Sequence, residues 1–252
     1  MIPSLVVDVG NSRIKWGLCV HPPRESGRVS QYQSLPADDP STWAKQLERW
    51  SLKGRLSWAV SGVHPARRDR FVEWIRQRGD RVALVDESRH LPLDIRLEHP
   101  DRVGIDRLLD AVAAKRRHGG SAVIVDAGSA VTVDWLDDAG AFAGGAIFPG
   151  LRLMIQALHD YTALLPAIEV PDGTPLVPGM STPAAMQAGI FWSVVGGVKA
   201  LTDQLSAQSS TKPALFLTGG DAALLHQALG SIYTLWPEMT LEGIRIAAEA
   251  LP

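Results

Sequence analysis

The feature that most constrains this chain is a hairpin signature that occurs twice. Val6 to Leu18 reads VVDVGNSRIKWGL, and Ile124 to Leu136 reads IVDAGSAVTVDWL. In each, an apolar run ends in an aspartate, a glycine turn with a small hydroxyl residue follows, and a second apolar alternation begins. Asp126 follows Asp8 by 118 positions, and Gly128 follows Gly10 by the same interval. A repeat of that length is too long for a solenoid and implies duplication of a whole subdomain.

The rest of the pattern agrees. Leu5–Val9 and Ile14–Val20 read as strands joined by Gly10-Asn11-Ser12, a hairpin by its spacing. Val29–Leu35 follows as a strand, then a helix over Ser41–Trp50 and a short strand at Leu56–Val60. A helix is expected over Pro65–Gln77, with Phe71, Trp74 and Ile75 on one side, then a strand at Val82–Val85. Asp106–Arg117 predicts a helix through Leu108, Leu109, Val112 and Ala113, stopped by Gly119-Gly120. Strands at Ser121–Asp126, Val131–Leu136 and Phe142–Phe148 restart the pattern, and a helix over Gly150–Leu158 follows. Pro166–Gly179 is a Pro/Gly-rich loop, and Pro183–Leu205 is a long helix with a possible bend at Gly196-Gly197. A strand at Leu215–Thr218, the Gly219-Gly220 turn, a helix through Leu229, a strand at Ile232–Leu235 and a helix over Leu241–Leu251 complete the chain. Strands first paired and then alternating with helices make an α/β protein, with expected domains 1–119 and 120–252.

The bulk properties narrow the partners. Net charge is −2 over 252 residues, so no basic excess points to nucleic acid. A single cysteine, Cys19, excludes an internal disulfide framework and fits a reducing compartment. The start Met1-Ile2-Pro3-Ser4 lacks the basic region and cleavage site of a secretion signal, and no apolar run is seen to reach the ~18–20 residues a bilayer requires. The expectation is a cytoplasmic protein without a membrane partner.

Two glycine turns of this kind suit phosphate. Small residues expose backbone N–H groups to an oxyanion, and an aspartate at each strand end can hold a cation. One such turn alone is most often only a turn; two in matching contexts suggest a nucleotide held from both sides, as phosphoryl transfer requires. Phe216-Leu217-Thr218-Gly219-Gly220-Asp221 adds a strand, a Gly-Gly turn and a helix, where a flat adenosine can lie against backbone. A tight strand-to-helix connection is the plainer reading of the same residues.

Together these residues resemble the actin, hexokinase and heat-shock ATPase (ASKHA) superfamily, built from two duplicated RNase H-like subdomains around a nucleotide cleft. More narrowly, Asp8-Val-Gly-Asn-Ser with Lys15, Gly104-Ile-Asp-Arg107, Asp126-Ala-Gly-Ser-Ala-Val-Thr-Val-Asp134, Gly144-Gly-Ala-Ile-Phe-Pro-Gly150, and Thr182 with Ala185-Met-Gln-Ala-Gly189 resemble type III pantothenate kinases, also known as the Bvg accessory factor-like family. The ordered set spans nearly the whole chain. The resemblance implies phosphorylation of pantothenate to 4′-phosphopantothenate by ATP with Mg²⁺, the first step of coenzyme A synthesis. It assigns Asp8, Val9, Gly10, Asn11, Ser12, Arg13, Ile14 and Lys15 to the first phosphate loop, and Ser129, with Gly219 and Gly220, to ATP. Asp126 matches the ligand of an activating potassium or ammonium ion. Gly104, Ile105, Asp106 and Arg107 match the pantothenate segment, with Asp106 as catalytic base. Thr182 matches an acceptor contact that reaches the site from the partner of a homodimer. Leu97 stands where the family usually has tyrosine, and Ser12 and Ser129 where it usually has threonine.

The residues also allow other readings. Asp106 can take a proton from an alcohol or simply cap its helix. Arg107 can fork onto a carboxylate or pair with Asp110. Lys15 can reach phosphate or lie on a solvated strand face. The seven histidines lack metal-ligand spacing, Ser61-Gly62 lacks a hydrolase elbow, and Arg67-Arg68-Asp69-Arg70 reads as a solvated helix face. Trp16, Trp43, Trp50, Trp58, Trp74 and Trp135 fit packing, whereas Trp192 suits either core or a dimer face. A kinase for another small alcohol, and a nucleotide-binding regulator, are the alternative functions.

Overall fold

The computed structural model describes residues 1–11, 13–22, 27–36 and 38–251. In chain order the elements are β1 (Leu5–Val9), β2 (Arg13–Val20), β3 (Arg28–Pro36), α1 (Pro40–Arg49), β4 (Ser57–Gly62), α2 (Pro65–Gln77), β5 (Arg81–Leu84), α3 (Ile105–His118), β6 (Ala122–Ala127), β7 (Ala130–Leu136), β8 (Phe142–Pro149), α4 (Leu151–Asp160), α5 (Thr182–Ser206), β9 (Ala214–Thr218), α6 (Ala222–Leu229), β10 (Thr234–Leu235) and α7 (Met239–Ala250). Two sheets run β3-β2-β1-β4-β5 and β10-β9-β6-β7-β8. Read from the hairpin outward these are one topology: an antiparallel hairpin whose first strand also pairs in parallel with a later strand. The duplication seen in sequence is a duplication of fold.

The compact units are Met1–Asp94 with Glu98–Arg116 and Glu238–Pro252, and Ile95–Leu97 with Arg117–Pro237. They differ from a single cut after residue 119 because α7 packs on the first sheet. Glu242 accepts the buried amide of Val29 at 2.6 Å and the Arg245 guanidinium at 2.8 Å. Gly243 lets α7 meet α3 backbone to backbone: a Cβ there would lie 2.0 Å from the Leu109 carbonyl oxygen.

Helix starts follow local chemistry. Asp39, His64 and Ser181 each accept a backbone amide from the first turn of α1, α2 and α5, and a proline occupies the first or second helical position in all three. The first core is aromatic. Trp16 packs edge-on to Trp58 at 5.0 Å, and Trp43 edge-on to Phe71 at 4.8 Å. The Trp58 indole donates to buried Asp80 at 2.8 Å, so its polar edge is satisfied. Trp50 and Trp74 flank this cluster and Trp135 flanks the second core, as their positions suggested. Cys19 lies buried on β2, and burial pushes its thiol up to about 12, outweighing the opposing pull of Arg245.

The second core sits between its sheet and helices α4, α5 and α6. α5 runs as one continuous helix through Gly196-Gly197. At 25 residues it is also long and apolar enough to cross a bilayer by length and composition, which corrects the expectation that no segment is. Its Ile190, Phe191, Val194, Val195 and Val198 pack in the second core. Trp192, 38% exposed, donates its indole N–H to Pro175 and pins the 166–179 loop to α5. β10 is only Thr234–Leu235; Ile232, expected in it, is 65% exposed.

Candidate active site

In the first unit the turn between β1 and β2 is closed by the Gly10 amide donating to the Arg13 carbonyl at 3.0 Å. Val9 and Ile14 pair across it and are fully buried. Asn11 is exposed at the apex, and its carbonyl accepts from Arg67. The Arg13 guanidinium is engaged by Ser34 on β3 at 2.7 Å. Ser12 lies outside the described residues. Asp8 stands opposite Lys15 on β2 and Ser61 on β4, and directly paired residues share a face. The Ser61 hydroxyl is buried and donates to the Val85 carbonyl at 2.5 Å. The serine is therefore structural, as the missing elbow implied.

The same unit carries Gly104, Ile105, Asp106 and Arg107 at the start of α3. Ile105 is buried and anchors the turn. Asp106 Oδ1 accepts the Arg107 amide at 2.9 Å. A Cβ on Gly104 would lie 2.6 Å from that same oxygen, so the glycine is what lets the carboxylate fold back. Oδ2 makes no hydrogen bond among the described residues. Asp106 thus ties one oxygen to the backbone at the start of α3 and leaves the other without a hydrogen bond among the described residues.

In the second unit the equivalent turn is one residue shorter. The Gly128 amide donates to the Ala130 carbonyl at 3.0 Å, and Ser129 is exposed at the apex. Three segments converge here. The Gly150 amide donates to the Ser129 carbonyl at 3.0 Å, and a Cβ on Gly150 would lie 2.3 Å from the Gly128 carbonyl oxygen. Gly219 adopts φ +103°, where a side chain is strained, and a Cβ there would lie 2.4 Å from both the Ala127 carbonyl oxygen and Asp126 Oδ1. Ser129, Gly219, Gly220 and Asp126 are therefore brought together.

Asp126 stands opposite Thr132 on β7 and Thr218 on β9. Both threonine hydroxyls are buried and without a hydrogen bond among the described residues, and Thr218 is fully inaccessible. Leaving two such groups unsatisfied is costly. One carboxylate and two hydroxyls form a set of hard oxygen donors that fits an alkali-type cation rather than a soft metal.

Sequence reasoning missed both threonines, although each can be found by strand alternation once register is known. It also missed Arg152, near the start of α4, whose guanidinium grips Asp221 through Oδ1 at 2.8 Å and Oδ2 at 3.1 Å beside the Gly219-Gly220 turn. Leu97 lies at the edge of the second sheet, its Cδ2 3.4 Å from a Cβ built on Gly144, because residues 95 and 96 pair with Phe142 on β8. Thr182 is exposed at the first position of α5.

Residues 4–204 match the sequence model of the type III pantothenate kinase family. A type III pantothenate kinase of Gluconobacter oxydans is 33% identical over 97% of this chain and 92% of its own length, and one of Moorella thermoacetica is 32% identical over 97% and 98%. Among solved structures, a Baf family transcriptional activator from Campylobacter jejuni superposes with a TM-score of 0.61 at 18% identity, covering 97% of each chain. Component A of the Acidaminococcus fermentans (R)-2-hydroxyglutaryl-CoA dehydratase superposes at 0.55 and 15% identity, covering 100% of this chain and 98% of its own. These two share the fold.

Proposed function

The chain belongs to the type III pantothenate kinase family and phosphorylates pantothenate with ATP in coenzyme A biosynthesis, and from that premise we propose how its residues divide the work. Asp106 is the general base. It takes the proton of pantothenate's primary hydroxyl as that oxygen bonds to the γ-phosphorus; the bond from the γ-phosphorus to the β,γ-bridging oxygen breaks, and ADP leaves. The observation that carries this is Asp106 itself, with one oxygen tied to the Arg107 amide and the other available. Arg107 forks onto pantothenate's carboxylate, with Gly104 and Ile105 beside it, and Leu97 is assigned to the same substrate. Leucine in place of the family's usual tyrosine replaces a hydroxyl contact with an apolar one.

ATP, carrying its Mg²⁺, is assigned to residues Asp8 to Lys15, to the Ser129 turn and to Gly219-Gly220. Lys15 adds positive charge where negative charge builds up on the phosphate oxygens during transfer. Asp126, with the Thr132 and Thr218 hydroxyls, is assigned to a potassium or ammonium ion. When bound, that ion supplies positive charge beside the ATP phosphates. The two unpartnered hydroxyls are the support for this choice.

A homodimer and a cytoplasmic location belong to the same proposal, with Thr182 reaching the partner's acceptor site. Supporting the dimer is an apolar groove of about 480 Å³ between α4 and α5, lined by Met154, Leu158, Met186 and Ile190. Near it in sequence, Tyr161 and Met180 are 88% and 91% exposed, as residues at an interface are in an isolated chain.

The test is pantothenate-dependent ADP release. Asp106→Asn is expected to lower kcat by roughly 10²–10⁴-fold with ATP affinity unchanged. An Asn variant with wild-type turnover would remove Asp106 from the chemistry.

A further inference from the structure

A second cavity lies at the other end of β9. It has a volume of about 440 Å³ and is lined by Arg117, His118, Lys212, Phe216, Ile232 and Thr234, among others. Ala214 and Leu215, also in its lining, begin β9, whereas Thr218 and the Gly219-Gly220 turn end it. The nearest lining residue of the strand, Phe216, stands two positions before Thr218, roughly 7 Å, so the cavity opens toward the start of β9 and the ATP turn lies at its end.

Its chemistry is one-sided. Three basic side chains line it, and among the described residues it has no carboxylate in its lining. None of Arg117, His118 and Lys212 forms an ion pair among the described residues. Elsewhere in the chain basic side chains do find carboxylates, as Arg152 does with Asp221 and Arg68 with Asp86. The Arg117 guanidinium is held in place: it lies 4.5 Å from the centroid of Trp236 and 6.0 Å from that of Phe216. Stacking of this kind fixes the plane of the guanidinium while leaving its N–H groups to an incoming acceptor. Beside the cations is apolar surface: Phe216 is a wall, and Ile232, 65% exposed, stands at the mouth. An exposed isoleucine beside unpaired cations is unfavourable for an empty surface and favourable for a ligand with both characters.

We propose that this cavity is an accessory binding site for a small phosphate monoester that carries a ring or other apolar part. The dianion is met by Arg117, Lys212 and the ring N–H of His118, and the apolar part lies against Phe216 and Ile232. The volume lies within the usual range for small-molecule sites, ~300–1,000 Å³. Dianionic charge selects the phosphate end, because two or three convergent cations favour it over a monoanion by charge-assisted hydrogen bonds. The apolar wall selects an ester over inorganic phosphate.

The probe is phenyl phosphate, titrated into the full-length protein while the Trp236 indole N–H resonance is followed by NMR. Phenol and inorganic phosphate serve as half-ligands. Saturable binding is expected, with both half-ligands at least tenfold weaker. Lys212→Met and Arg117→Met should each weaken binding at least fivefold, and Lys212→Arg should restore it to within twofold. Pantothenate turnover by Lys212→Met should stay within twofold of wild type, which shows that the variant is folded. Binding that both methionine variants retain in full, binding of phenol equal to that of phenyl phosphate, or the absence of a saturable Trp236 shift would each overturn the proposal.

Discussion

The two aspartate turns have the same scaffold and different neighbours. In the first, Asp8 is flanked across the sheet by Lys15 and Ser61; in the second, Asp126 is flanked at the same two register positions by Thr132 and Thr218. The glycine after the flanking residue of the parallel strand is equally crowded in both: a Cβ on Gly62 or Gly219 would lie 2.4 Å from the Val9 or the Ala127 carbonyl oxygen, respectively. The Ser61 hydroxyl donates a hydrogen bond to the Val85 carbonyl, whereas the Thr218 hydroxyl has no partner among the described residues. The first turn therefore carries a covalent cation and a closed hydrogen-bond set. The second carries neutral oxygens arranged as donors. A duplicated fold has diverged into one turn with a lysine beside its aspartate and one with two unpartnered hydroxyls, the set proposed above to hold an imported cation.

The largest effect that sharpens this contrast is expected at Lys15. Lys15→Met should lower kcat/KM by roughly 10²-fold or more, equally in potassium and sodium, because no imported ion replaces a lost side chain. A loss that potassium rescues would break the comparison. Next is the reciprocal exchange. Thr132→Lys should give the second turn its own charge and reduce the potassium-over-sodium rate ratio by roughly tenfold, ~1.4 kcal/mol; steady-state rates in the two salts measure it. An unchanged ratio would mean that Thr132 does not face the cation.

A smaller pair separates structure from binding. Ser61→Ala strands the Val85 carbonyl and should cost about 1–3 kcal/mol in urea unfolding, with potassium dependence unchanged. Thr218→Val removes a hydroxyl with no partner to strand. It should leave urea stability in sodium unchanged within ~0.5 kcal/mol and abolish the extra thermal stability that potassium confers. The same result from both variants would erase the distinction between the turns.

A separate effect, confined to alkaline pH, lies outside both turns. The Cys19 thiol is raised from an ordinary value near 9 to about 12 by burial. The folded state therefore holds this proton after the unfolded chain has released it. The contribution of Cys19 is present in full below about pH 9 and is lost as pH rises toward 12. Cys19→Ala should flatten the stability profile in that window alone, as followed by urea midpoints against pH. A slope that persists in the variant would assign it to another group.

Much of this was legible in one dimension. Both hairpins follow from alternating burial on either side of a glycine turn, and the helix starts expected at Ser41, Pro65 and Pro183 lie within one residue of the observed Pro40, Pro65 and Thr182. Gly104 and Asp106 stand two residues apart, so their relation is local as well. β10 was overread because Ile232 is apolar by type and yet points outward, where the proposed ligand rather than the core would cover it. The bilayer-length character of α5 was underread because Gly, Ser, Thr and Gln interrupt its apolar residues without adding charge.

What the sequence determined by itself is the duplicated α/β architecture, the two aspartate turns and the short-range geometry at Asp106, since backbone preference and contacts a few residues apart decide these. What only the tertiary structure decided is which side chains flank each aspartate, that α7 packs with the first sheet, and that Arg117 and Lys212 line one cavity. Thr218 meets Asp126 across 92 positions of chain, and Gly243 meets Leu109 across 134. Strand register and helix contact at such separations arise from packing of whole elements, and a one-residue slip would turn every paired side chain to the opposite face.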